Sequence, residues 1–125
     1  KNPNIFGPMT DLLGGVENVF LVDTLDYPTM VFLMSKCKFI VSDSGGVQEE
    51  APSVEKRVLV LRDSTERQEA VESGWAELVK VDANMILNKM IAELERPKIV
   101  SARNPFGEGD AAIKIAEAIK RFANE

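Results

Sequence analysis

Phe39-Ile40-Val41-Ser42-Asp43-Ser44-Gly45-Gly46-Val47-Gln48-Glu49-Glu50-Ala51-Pro52 is an apolar run that breaks into a small polar turn and resumes as a short helical segment. The run predicts a buried strand feeding a glycine loop at a helix N-terminus, a geometry suited to an anion such as phosphate. Two consecutive glycines let the backbone turn sharply and let a ligand approach the amides closely. Asp43 and Ser44 are placed to satisfy the first free N–H groups of the helix. Taken alone, a Gly-Gly turn of this kind fits an ordinary strand-to-helix loop equally well. The helix should stop by Ala51, because Pro52 disfavours helical geometry in the residue before it.

Outward from this stretch, short apolar runs alternate with helical periodicity. Val19 to Val22 reads as a strand. Asp26 then sits as the N-cap of a helix from Tyr27 to Lys36 that carries Tyr27, Met30, Val31 and Met34 on one face. Val58 to Leu61 is a continuous apolar run, as expected of a strand covered on both faces. A helix from Arg67 to Ser73 should end at Gly74 in a left-handed C-cap. Leu78 to Val81 reads as a fourth strand. Asp82 caps a helix from about Ala83 to Leu94 with Ile86, Met90, Ile91 and Leu94 inward, and Pro97 ends that run. Residues 98–108 are turn-rich. Asp110 is placed to cap a final helix with Ala112, Ile115, Ala116, Ile119 and Phe122 along one stripe. The alternation predicts an α/β domain, a doubly wound parallel sheet of Rossmann-like type. In such sheets ligands sit beyond the carboxyl ends of the strands, where the Asp43 to Gly46 and Arg62 to Arg67 loops and the stretch after Val22 emerge.

At 125 residues with 45% hydrophobic and 28% charged content, the chain is expected to be one globular domain over residues 1–125. It opens at Lys1, as expected for a piece of a longer protein. The net charge of −5 argues against a nucleic-acid partner, which requires clustered Lys and Arg, and leaves a discrete nucleotide pocket compatible. The longest apolar stretches fall far short of the roughly 20 residues that span a bilayer, so no membrane partner is expected and a cytoplasmic location is the expectation. The single cysteine, Cys37, cannot form an internal disulfide. It lies between two lysines, which could lower its pKa, but the end of a helix favours a structural role. With no histidine and one cysteine, no structural zinc site is expected.

Four segments in order carry a resemblance to a known family. Asp43-Ser44-Gly45-Gly46-Val47-Gln48-Glu49-Glu50-Ala51-Pro52 and the run from Val58 through Thr65-Glu66-Arg67-Gln68-Glu69-Ala70 to Gly74 closely resemble the non-hydrolysing UDP-N-acetylglucosamine 2-epimerases. Asn104-Pro105-Phe106-Gly107-Glu108-Gly109 is similar to the family's loop before its closing helix. Lys1-Asn2-Pro3-Asn4 is similar to its His-x-Asn-Pro-Asn segment without the histidine. The resemblance covers essentially the whole chain but only the C-terminal, nucleotide-sugar-binding half of a two-domain, glycosyltransferase-B-type architecture. It implies an N-terminal catalytic domain outside this chain, a homodimeric parent, UDP-N-acetylglucosamine and UDP as ligands, and no cofactor or metal.

The resemblance also assigns roles. Ser44, Gly45 and Gly46 would hold the diphosphate, and Glu50 the ribose hydroxyls, where a carboxylate can accept from both. Met30 would face uracil, with core packing on the apolar stripe as the competing role. Arg67 would reach the phosphates or the sugar end, against a competing salt bridge with Glu66, Glu69 or Asp63. Glu49 reads as structural. The implied parent reaction eliminates UDP from the sugar and re-adds it with C2 inverted, serving cell-surface polysaccharide synthesis. That proton transfer calls for histidine and carboxylates from the first domain, so no catalytic residue is expected here and the isolated chain should be inactive. Two alternatives are the UDP-sugar-binding half of a glycosyltransferase and a non-enzymatic flavodoxin-like interaction module. The chain departs from the family at Glu55-Lys56-Arg57, usually Gly-x-Pro, at Gln68, usually proline, and at Lys80, commonly glycine.

Overall fold

The computed structural model describes residues 3–97 and 103–123. Lys1, Asn2 and the turn-rich residues 98–102 lie outside the described residues. The chain divides into two compact units, Lys1–Leu33 and Met34–Glu125.

The first unit opens with α1, Pro3–Leu13, a helix absent from the sequence expectations. Pro8 inside it reads as a breaker, yet Ile5, Phe6, Met9 and Leu12 recur at helical spacing and Thr10 Oγ1 donates to the Phe6 carbonyl at 2.9 Å. Val19 to Val22 forms no strand. A strand exists only through a ladder with a neighbour, and among the described residues ladders join only Ile40–Ser42, Val58–Val60 and Ala76–Leu78. Helix α2, Tyr27–Lys36, begins as expected: Asp26 Oδ1 accepts from the Thr29 N–H at 2.8 Å. The Thr29 side chain first, and then this N–H, hold the Asp26 carboxyl below the ordinary carboxylate range. Of the face predicted for this helix, Met34 is buried while Tyr27 is exposed.

The second unit holds a parallel sheet in the order β1-β2-β3, with β1 Ile40–Ser42, β2 Val58–Val60 and β3 Ala76–Leu78. Ile40 pairs with Val58 and Ser42 with Val60; Val58 pairs with Ala76 and Val60 with Leu78. This is the Rossmann-like α/β class expected. The third strand comes two residues earlier than predicted, because Val58 N–H donates to Trp75 O and Val79 N–H to Val60 O, which places the ladder over Ala76–Leu78. Val81 is accordingly exposed. All three residues of β2 are at most 1% exposed, as befits a central strand covered on both faces. Val58 and Val60 pack with Met34, Ala51, Ala70 and Ala76.

Between β1 and β2 run α3, Gly45–Glu50, and a 3₁₀ turn, Ala51–Val54, which begins where Pro52 was expected to end the helix. Helix α4, Gln68–Glu72, joins β2 to β3, and Gly74 follows it at φ +79°, the predicted left-handed position. Helix α5, Ala83–Glu95, is capped by Asp82 Oδ1 accepting from Met85 N–H at 2.9 Å. Its predicted inward face is only half right: Ile91 and Leu94 are exposed, and the buried residue is Glu93. Glu93 is admitted because Arg96 NH1 donates to it at 2.7 Å and Arg57 NH1 at 3.4 Å, which compensates its lost hydration. Helix α6, Ala111–Ala123, keeps its apolar stripe exposed, and Asp110 Oδ1 pairs with Lys114 Nζ at 2.9 Å while its carbonyl takes the Ile113 N–H.

Two departures from the family pattern acquire a physical meaning. Glu55 ends the 3₁₀ turn at φ 58°, a left-handed conformation that glycine would adopt without cost. Gln68 opens α4 and its side-chain amide donates to Thr65 O at 2.7 Å, a hydrogen bond no proline could make.

Candidate functional site

Because β1 and β2 are parallel, the loops leaving Ser42 and Val60 emerge at the same edge of the sheet. The first carries Asp43, Ser44 and the two glycines; the second runs to Arg67. They meet: a Cβ placed on Gly45 would lie 3.0 Å from Arg67 Cζ and 3.2 Å from each terminal guanidinium nitrogen. Gly45 therefore leaves the space the guanidinium occupies. Gly46 faces more open space, with Ser44 Oγ 3.9 Å from its hypothetical Cβ.

Ser44 occupies the N-cap position of α3 with extended backbone, φ −76° and ψ 130°, but its side chain caps nothing. The sequence expectation that Asp43 and Ser44 satisfy the first helical amides is not met. Instead Ser42 Oγ accepts the Ser44 N–H at 3.1 Å and shapes the loop from the strand side. The first amides of α3 are thus left without a side-chain cap, beside the exposed Ser44 and at the positive end of the helix.

Arg67 makes the salt bridge considered for it. Its Nε donates to Glu49 Oε1 at 2.8 Å and NH1 to Glu66 Oε2 at 2.9 Å, so the expected pairing with Glu66 is present, while Glu69 and Asp63 give way to Glu49. Glu49 is therefore structural, as read from the sequence. These contacts raise the Arg67 pKa further, through Glu49 first, while a backbone hydrogen bond first and Arg67 second hold Glu66 below the usual carboxylate range. With two carboxylates on one flank, Arg67 is a fixed cation whose plane lies against the glycine turn. Glu50, at the last position of α3, is half-buried, and its carboxylate has no partner among the described residues. Met30 lies on α2 within the first unit and is 36% exposed, so it is not consumed by core packing.

Two residues that the sequence reading passed over underlie this corner. Gln48 is fully buried and Thr65 nearly so. Thr65 Oγ1 donates to Gln48 Oε1 at 2.7 Å, and Gln48 Nε2 donates to Ser44 O at 3.2 Å. Their signal was position: Gln48 lies four residues past Ser44, one helical turn, and so could reach back to its carbonyl. The Asn104 to Gly109 loop is structural by the same test. Asn104 Nδ2 donates to Ser53 Oγ at 3.0 Å, its Oδ1 accepts from Phe106 N–H at 3.0 Å, and Gly107 and Gly109 stand at φ +95° and +80°.

A concavity of about 440 Å³ opens away from this corner, where the strands begin, between Lys38, Lys56, Arg57 and Arg96. There Lys38 Nζ donates to Arg96 O, Arg57 NH1 to Pro97 O, and Glu93 neutralises two guanidinium groups. Cys37 borders it; burial pushes its thiol pKa up and its S–H donates to Met34 O, so it is a structural cysteine rather than a nucleophile.

A Rossmann-like sheet with a glycine turn and a cation at its carboxyl edge is the arrangement on which α/β domains of this class hold phosphates and nucleotides. The sequence profile of UDP-N-acetylglucosamine 2-epimerase matches residues 1–120, and the chain belongs to that family. The UDP-N-acetylglucosamine 2-epimerase of Neisseria meningitidis is 46% identical over 122 residues, covering 94% of this chain and 33% of that protein. The crystal structure of the Neisseria meningitidis epimerase bound to UDP-GlcNAc superimposes with a TM-score of 0.85, over 96% of this chain and 33% of that one. The S. aureus MnaA-UDP co-structure does so at 0.89, with 34% identity over 99% of this chain and 34% of that one. The chain thus spans about a third of the length of the relatives it matches. It shares the Rossmann-like fold of these glycosyltransferase-B-type enzymes, and the family match sets aside the transferase and flavodoxin-like alternatives.

Proposed function

We propose that this chain is the UDP-binding part of a UDP-N-acetylglucosamine 2-epimerase that interconverts UDP-N-acetylglucosamine and UDP-N-acetylmannosamine. The observation that carries the reading is the meeting of Arg67 with Gly45, which gathers a fixed cation, a free hydroxyl and helix-end amides at one strand edge. Ser44, Gly45, Gly46 and Arg67 hold the diphosphate and Glu50 the ribose hydroxyls; the uracil role of Met30 rests on the family resemblance alone.

In the parent reaction the C2 proton and the UDP on C1 leave the sugar together, creating a C1=C2 double bond. Re-addition of UDP to C1 with a proton delivered to the opposite face of C2 inverts that centre. Breaking the C1–O bond loads negative charge onto the departing diphosphate. Preorganised amides and a guanidinium stabilise that charge without reorganising during the reaction. The chain contains no histidine, and the acids and bases that move the C2 proton belong to the remainder of the parent, an N-terminal domain. The parent works as a cytoplasmic homodimer in polysaccharide synthesis, and among the described residues no helix is long and apolar enough to cross a membrane. The exposed apolar faces of α1 and α6 suit burial against that remainder.

Calorimetric titration of the 125-residue chain with UDP tests the reading. Half a cleft should bind with Kd of about a millimolar, roughly −4 kcal/mol. ADP should bind far more weakly, and the Ser44→Ala, Glu50→Ala double variant should lose binding. Equal binding of UDP and ADP, or a double variant that binds like the parent sequence, refutes the assignment.

A further inference from the structure

We propose that Gln48 and Thr65 are positioning residues that lock the glycine turn and the arginine loop into one phosphate-receiving unit; this rests on the diphosphate reading above. The hydrogen bonds run in one unbroken series. The Ser44 carbonyl accepts from Gln48 Nε2 at 3.2 Å, Gln48 Oε1 accepts from Thr65 Oγ1 at 2.7 Å, and Thr65 Oγ1 accepts from the Arg67 N–H at 3.1 Å. The two ends of the series are the backbones of the two residues proposed to touch the diphosphate.

The polarity of the series is determined by its ends. A carbonyl at Ser44 can only accept and a backbone N–H at Arg67 can only donate. Thr65 must therefore spend its single proton on Gln48, and Gln48 must present its NH₂ to Ser44; a flipped amide would set two carbonyl oxygens against each other. Gln48 is 0% exposed and Thr65 6%, so water does not compete for these bonds. Gln68 Nε2 braces the same loop through Thr65 O at 2.7 Å. A buried polar pair is not needed for stability, since replacing both partners by apolar groups of similar shape is close to neutral. What it supplies is registry, because the two loops are joined by the sheet only at their roots, Ser42 and Val60. With the series intact, Arg67 keeps its place against Gly45 and needs no rearrangement when phosphate arrives.

The test compares UDP with uridine on the full 125-residue chain by NMR titration, so that the diphosphate contribution is read as a ratio of affinities. Thr65→Val should cut the UDP-to-uridine ratio about tenfold, the effect of one displaced hydrogen bond, while uridine affinity stays constant. Thr65→Ser, which keeps the hydroxyl, should restore the ratio, and the apolar pair Gln48→Leu with Thr65→Val should fold yet show the same loss as Thr65→Val. A Thr65→Val chain with the ratio of the parent sequence overturns the inference alone. A parent sequence that binds UDP no better than uridine overturns the diphosphate reading and this inference with it. Loss of the fold in both the single and the double variant makes the pair a stability element and also overturns it.

Discussion

Two runs of nearly the same character behave in opposite ways. Val58-Leu59-Val60 in the second unit is at most 1% exposed and forms the centre of the sheet, whereas Val19-Phe20-Leu21-Val22 in the first unit forms no ladder, with Phe20 84% exposed. The contrast extends to whole units: among the described residues the first unit buries none fully, while the second closes a core around β2. An apolar run supplies the material for a strand. The neighbours on either side decide whether it becomes one, because backbone groups need partners and apolar groups need cover.

The sharpest way to break this comparison is truncation in each run. Leu59→Ala should cost about 3 kcal/mol, the usual consequence of a cavity in a packed core. Phe20→Ala should change stability by less than about 0.5 kcal/mol. Denaturant unfolding of both variants checks the pair, and similar losses would erase the distinction between the units.

Within the second unit the two glycines offer a finer contrast. Gly45→Ala would drive a methyl to 3.0 Å from the Arg67 guanidinium carbon, whereas Gly46→Ala meets nothing closer than 3.9 Å. Displacing the guanidinium should weaken UDP binding about tenfold, roughly 1.4 kcal/mol, while Gly46→Ala should bind nearly as the parent sequence does. Calorimetry on the two variants measures this, and the reverse order would separate Arg67 from the phosphate site.

A smaller change should go the other way. Glu55 stands at φ 58°, so Glu55→Gly should raise stability by about 1 kcal/mol through relief of the left-handed strain, read as a higher melting temperature. Lower stability would mean that the glutamate side chain contributes more than its backbone costs.

The smallest effect is a pH dependence at the surface. The carboxyls of Glu66 and Asp26 are held below their ordinary values, by a backbone hydrogen bond and Arg67 in the first case and by Thr29 in the second. The unfolded chain therefore takes up these protons first on acidification. The stabilisation is fully present above the ordinary carboxylate pKa of about 4 and is lost as pH falls through the lower folded values. Glu66→Gln should flatten the fall in melting temperature between about pH 5 and pH 3; an unchanged slope would leave the Glu66–Arg67 contact without weight. Both groups are exposed, so the effect is modest.

The glycine turn, the Asp26 and Asp82 caps and Gly74 were legible because each depends on chemistry within a few residues: an oxygen three positions before an amide, or a backbone that only glycine adopts cheaply. Helix α1 was hidden by Pro8, which carries a breaker's signal in a segment whose apolar spacing is helical. The inward face of α5 was misread for another reason. Counting apolar residues favours Ile91 and Leu94, and nothing near Glu93 in sequence announces that Arg57, 36 residues away, will neutralise it. The caging of Arg67 was half legible: Glu66 is its neighbour in sequence, but Glu49 comes from α3, 18 residues away.

Sequence by itself determined the family, the α/β class, the phosphate-suited turn and the residues proposed to hold UDP, because these rest on local patterns and ordered motifs. Only the tertiary structure decided that Val19 to Val22 stays outside the sheet, that Arg67 settles against Gly45, and that Gln48 and Thr65 tie the two loops together. Each of these depends on which distant groups become neighbours. That choice is made by ladder pairing and burial acting across the whole unit, and no window of the chain contains it.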